Sequence, residues 1–127
     1  MLVATALVVA TLSAQADPVV DYILHCSGCH MPDGRGLEPE VPTLHDTIGR
    51  MAATPEGRSY IVRVPGVAQA PISDRKLTEL LNWMLSEFSG ATLPDDFQAL
   101  TVAEVGAARD QLLADPRKLR AELFPDL

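Results

Sequence analysis

Cys26-Ser27-Gly28-Cys29-His30 gathers two thiols and an imidazole within five consecutive residues. The C-x-x-C-H spacing is the attachment sequence of a c-type haem. Two intervening residues let both sulfurs reach neighbouring vinyl groups on one edge of a porphyrin. The histidine that follows is then set beneath the ring, where it can ligate the iron. The expectation is one covalent haem c, bound through thioethers to Cys26 and Cys29, with His30 as proximal iron ligand. Two other chemistries use paired cysteines. A thioredoxin-like dithiol opens a helix in a βαβ setting, yet no strand pattern precedes Cys26. A structural zinc site takes four ligands, drawn as a rule from two knuckles. Here Cys26 and Cys29, with His25, His30 or His45, would have to supply them from one. Haem makes the protein red and adds its own mass, whereas zinc or a free dithiol leaves it colourless.

The remaining charged groupings read as solvated surface. Asp95-Asp96 and the Glu38/Glu40 pair sit in Pro-rich stretches and are poor candidates for acid–base work. Arg117-Lys118-x-Arg120 reads as a helix face paired with Asp115 and Glu122. No Gly-rich phosphate loop, Ser/His/Asp triad or nucleic-acid motif is present in the sequence.

A chain of 127 residues has room for one domain. Leu2 to Leu12 is an apolar run, and Ser13-Ala14-Gln15-Ala16 ends in an Ala-x-Ala tripeptide before Asp17. This pattern predicts a signal peptide over residues 1–16, cleaved after Ala16, and hence a periplasmic or otherwise exported protein. A buried N-terminal helix is the alternative. The run is too short for a spanning helix, which needs about 20 apolar residues, so no membrane span is expected in the mature chain. Both cysteines lie inside the one motif, leaving no separate disulfide framework. Seventeen acidic against ten Lys and Arg residues give a formal charge of −7. That charge disfavours nucleic acid and favours a redox partner with a basic docking surface.

The elements that must carry the motif are helical. Asp17-Pro18 starts a helix whose apolar face is Val19, Val20, Ile23 and Leu24, leading directly into Cys26. Met31 to Pro42 is a Gly/Pro loop. Thr43 to Met51 allows one or two helical turns ending near Gly49. Thr54-Pro55 starts a helix that presents Tyr60, Ile61 and Val64 and stops at Pro65-Gly66. Ser73 caps the most periodic segment, with Leu77, Leu80, Leu81, Met84, Leu85 and Phe88 on one side and Gly90 after its end. A linker (Thr92 to Asp96) follows. Thr101-x-x-Glu104 then forms a capping box for a helix to about Ala114, and Asp115-Pro116 opens a last short one. No segment alternates like a strand, so the fold class is all-α.

From Asp17 to Gly90 this order of elements resembles a small class I cytochrome c: a helix, C-x-x-C-H, a Gly/Pro loop, short helices and a long amphipathic helix. The resemblance implies a cytochrome c-like fold, with haem packed between the N-terminal and C-terminal helices. It divides the mature chain into a cytochrome c domain, residues 17–90, and a linker with a helical C-terminal extension, residues 91–127. It also implies an aromatic contact between Tyr22 and Trp83. Pro42-x-Leu44 would line the ring edge, and Arg50, after Gly49, would reach a haem propionate. The function so implied is electron transfer to or from a redox partner, not enzymatic catalysis.

One departure from the family is clear. Val64 to Ser73, the loop before the long helix, holds no methionine for the second axial position. Met51 is the leading candidate. Met84 sits on the apolar stripe and reads as core, Met31 is tethered on the proximal side, and His25 points to solvent. His45 remains a possible ligand. An open sixth position, approached by Gln69, is the other possibility, and it would make the chain a ligand-binding haem protein, a sensor or weak peroxidase.

Overall fold

The computed structural model describes residues 17–127. The expected signal peptide lies outside the described residues.

Asp17 caps the first helix, α1 (Pro18–His25), by accepting a hydrogen bond from the Val19 amide. That start is as the sequence predicts, but the packed face is not. Val19, Val20, Ile23 and Leu24 are all exposed. The inward stripe is Pro18, Asp21, Tyr22, His25 and Cys26, at i, i+3, i+4, i+7 and i+8. Tyr22 is fully buried, and the buried Asp21 carboxylate meets Lys76 Nζ at 3.4 Å. The reason is that one large ring buries more area than any valine or isoleucine and is shaped to fit. The side carrying Tyr22 therefore packs inward.

The motif itself forms a single turn, α2 (Ser27–His30), ended by Met31 at a φ of 63°. A loop follows, pinned at Gly34, where a Cβ would stand 2.8 Å from the Phe88 ring. Helix α3 (Thr47–Ala52) runs through Gly49 rather than ending there. Gly49 serves close approach: a Cβ would lie 2.7 Å from that of Ser89 and strike Thr92. Thr54 caps α4 (Pro55–Arg63), which does stop before Pro65. Pro65 then opens a one-turn helix, α5 (Pro65–Ala68), because a proline suits a first helical position. Ser73 caps the long α6 (Asp74–Phe88), whose six periodic apolar residues are all buried. Gly90 follows with a φ of 55° and begins a 3-10 turn, Gly90–Thr92.

Thr101 and Glu104 form both hydrogen bonds of a capping box on α7 (Val102–Arg109). This helix ends well before Ala114. Its last residue sends a guanidinium to the carbonyls of Ala68, Ala70 and Ile72 and to Asp74 Oδ1, at 2.7–3.1 Å. The chain then turns so that the Leu113 amide reaches the Arg63 carbonyl at 3.1 Å. Asp115 caps α8 (Pro116–Leu123). Among the described residues there is no strand, and no helix is long and apolar enough to cross a membrane. The fold is all-α.

Residues 91–127 are helical but do not stand apart. Leu100, Val105 and Leu113 belong to the same apolar core as Tyr22, Ile61 and Leu81. Arg58 fastens this segment to α4, donating from Nε and Nη2 to the two Glu104 oxygens at 2.7 and 2.8 Å. That bidentate pair holds the Glu104 carboxyl below its ordinary value of 4.5. A depressed folded-state value means a stabilisation present above pH 4.5 and lost as pH falls through the lowered value. Glu104→Gln should therefore lower stability at neutral pH and flatten the acid limb of a urea-midpoint-against-pH profile. A variant profile parallel to the wild type below pH 4.5 would show that the pair does not couple to folding.

Candidate cofactor site

The C-x-x-C-H turn is positioned by aromatic packing where α1 crosses α6. Tyr22 lies 5.4 Å from Trp83 and 5.3 Å from Phe88, centroid to centroid, and the latter two are 5.6 Å apart. The tilted geometries are those that aromatic quadrupoles favour. The Tyr22–Trp83 contact is the one the family resemblance implies. Tyr22 also donates its hydroxyl proton to the Met31 carbonyl at 2.7 Å, which clamps the residue following His30. Burial, with smaller effects from Cys26 and Asp33, pushes the phenol up to about 12, so it stays a donor at any physiological pH.

His30 is oriented from the far side of the loop. Its Nδ1 lies 3.2 Å from the Pro42 carbonyl oxygen. A carbonyl only accepts, so Nδ1 carries the proton and the Nε2 lone pair is left free. Burial lowers the imidazole pKa, the Pro42 bond opposing only in part, so the ring is neutral and able to bind a metal at pH 7. A second-sphere carbonyl of this kind fixes both tautomer and ring plane.

His30 and Cys29 stand on the wall of a cavity of about 620 Å³, within the range of cofactor clefts. Its other walls come from distant parts of the chain. Pro42, Leu44 and the α3 residues Ile48 and Met51 form one, Tyr60 and Ile61 of α4 with Val64 and Val67 a second, and Leu81 and Met84 of α6 a third. Helix α8 supplies a fourth, with Pro116, Arg117, Arg120 and Ala121.

The candidate residues divide clearly. Cys29 is exposed and lines the cavity, while Cys26 is half-buried and packs on the core beside it. Met51 and Met84 are both buried and both line the cavity, so Met84 is core and cavity wall at once. Met31, His25, His45 and Gln69 do not line it. His45 is engaged elsewhere, its Nε2 at the Asp33 carbonyl and its ring edge-on to Phe88. Arg50 is exposed and does not line the cavity. The reason is its place on α3: Ile48 and Met51 take the inward positions, and Arg50 falls on the solvent side.

Arg117 and Arg120 were the residues that sequence patterning missed. Among the described residues the ion pairs are Asp33–Arg35, Arg58–Glu104, Asp21–Lys76 and Asp74–Arg109, with none on α8. Arg120 instead has its Nε buried and without a hydrogen-bond partner. Such an orphan donor costs about 1–3 kcal/mol unless something accepts from it. The only hint in the sequence was a basic cluster in an acidic chain.

An apolar cavity lined by an imidazole and one thiol, with the second thiol packed beside it, two thioethers in its walls and an arginine whose Nε is unpartnered, fits a covalently held haem. The iron would take His30, the vinyls Cys26 and Cys29, and the carboxylates the basic edge. The same residues do not suit the alternatives. Among the described residues no three His, Cys, Asp or Glu side chains converge as a zinc site requires. Burial, with Asp21 and Cys29, pushes the Cys26 thiol up to about 11. A dithiol catalyst needs the opposite shift. Compared with models of protein families, with curated proteins and with solved structures, the chain matches none.

A ligand that fills the cavity must displace a charge placed in its wall. Ile61→Glu should weaken binding of metal-free protoporphyrin to the purified chain at least tenfold, measured by fluorescence titration. Unchanged affinity would place the porphyrin somewhere other than this cavity.

Proposed function

We propose that the chain is an exported, monohaem c-type cytochrome that carries single electrons to or from a periplasmic redox partner. The observation that carries this reading is the Nδ1 contact of His30 with the Pro42 carbonyl at 3.2 Å, on a residue that lines the cavity. That contact leaves a neutral imidazole nitrogen for an iron, next to two thiols at attachment spacing. When bound, the haem supplies a one-electron couple at its iron. The protein's own residues do the remainder. Cys26 and Cys29 fix the porphyrin edge, His30 sets one axial position, and the apolar walls from Leu44 to Met84 exclude water, which raises the potential.

Electron transfer is favoured over ligand binding because two buried thioethers, Met51 and Met84, face the same cavity as His30. Either supplies the soft sixth ligand missing from Val64 to Ser73. The exposed Cys29 rim is where electrons enter and leave, and the charge of −7 draws a partner with a basic docking surface. No residue is assigned a catalytic role. Export rests on residues 1–16, whose pattern is that of a cleaved signal.

Expression of the full chain in a host that matures c-type cytochromes should give a red protein heavier by one covalent haem. Cys26→Ala with Cys29→Ala should abolish that mass increase, and a colourless wild type would end the reading. Of Met51→Ala and Met84→Ala, one should remove the long-wavelength thioether charge-transfer band and lower the potential. If neither does, and the wild-type ferrous protein takes up carbon monoxide at once, the sixth position is open and the chain is a ligand-binding haem protein.

A further inference from the structure

Helix α8 places two cations where a core of residues 17–90 alone would have none. Arg117 and Arg120 line the cavity, Arg50 does not, and Arg120 holds a buried Nε that bonds to nothing in the protein. Arg120 also has no carboxylate within ion-pair distance among the described residues, although Asp115 and Glu122 flank it on the same helix. A cavity-lining arginine with a buried, unpartnered Nε and its local acids unused is arranged for an anion brought in by the cavity's occupant. The geometry points to Arg120, with Arg117 at the rim, as the residue that receives a haem propionate. The C-terminal helix is thereby part of the cofactor site and not a cover over it. This rests on the haem reading above and goes beyond it, since it assigns the carboxylate contact to a segment outside the cytochrome-like portion.

Among the described residues, the other titratable groups that line the cavity, apart from Cys29 and His30, are Tyr60, Glu38, Glu40 and the terminus at Leu127, which makes no ion pair with either arginine. Tyr60 of α4 gives its hydroxyl hydrogen to the Pro116 carbonyl at 3.1 Å and is kept neutral by burial. Glu38 and Glu40 come from the loop, and Glu38 already accepts from the Thr43 amide at 3.0 Å. Neither carboxylate offers a counter-charge to a propionate, which leaves the arginines.

A guanidinium beside a propionate keeps it ionised, and it favours the iron state with one more electron. Removing the cation should raise the propionate pKa and lower the potential. The experiment compares the matured full-length wild type with Arg120→Gln, Arg120→Lys, Arg117→Gln and Arg50→Gln. Covalent haem is read by mass, and midpoint potential is followed from acid to alkaline pH. Thioether attachment does not involve Arg120, so every variant should carry haem. Arg120→Gln should lower the ratio of reduced to oxidised protein at fixed poise about three- to tenfold, and move the bend of the potential–pH curve to higher pH. Arg120→Lys should restore most of both, and Arg117→Gln should give a smaller shift in the same direction. A role confined to packing α8 would change thermal stability and leave the bend in place. An Arg120→Gln curve that overlays the wild type, or a shift seen with Arg50→Gln instead, overturns the assignment while the haem reading stands. A wild type without covalent haem overturns both.

Discussion

The surroundings of the C-x-x-C-H turn hang on one ring. Tyr22 fills the crossing of α1 with α6, touches Trp83 and Phe88, and reaches with its hydroxyl to the Met31 carbonyl. Through Phe88 the same knot presses on Gly34, whose carbonyl accepts from the Leu44 amide at 2.8 Å. That bond holds the strand of loop carrying Pro42, and Pro42 in turn orients His30. The imidazole plane is thus set by a chain of short contacts that begins at a residue eight positions earlier. A ring smaller than tyrosine would leave both the packing and the clamp unfilled.

The second organising feature is that the cavity is shared. Its walls come from the loop after the motif and from α3, α4, α5, α6 and α8. An apolar space of about 620 Å³ in so small a fold leaves much of the core's surface without protein neighbours. An occupant that contributes its own apolar faces completes that core, and its binding stabilises the native state by mass action.

Local chemistry was readable from the sequence wherever the determinant is local. The caps at Asp17, Thr54, Ser73, Thr101 and Asp115 each accept the expected amide hydrogen bond, because capping depends on residues two or three apart. The inward stripe of α6 was equally legible, since six apolar residues at helical spacing leave one choice of face. α1 was not, because its apolar residues and its one tyrosine point to different sides and only the shape of α6 decides between them. The places of Arg50 and Arg120 were not legible for a related reason. Nothing near Gly49 tells that Arg50 falls on the solvent side, and nothing near Asp115 tells that α8 folds back over a cavity opened by residues 29–84. Proximity between parts of a chain so far apart is settled by packing, not by propensity.

The C-terminal location of the fourth wall gives assembly an order in time. A chain made from its N-terminus presents Cys26, Cys29 and His30 before Pro116 to Leu123 emerge. Until then the space beside the motif has three sides. Once α8 docks through the Tyr60 contact with Pro116, the fourth side is walled. Helix α8 therefore completes a wall that the earlier part of the chain leaves open.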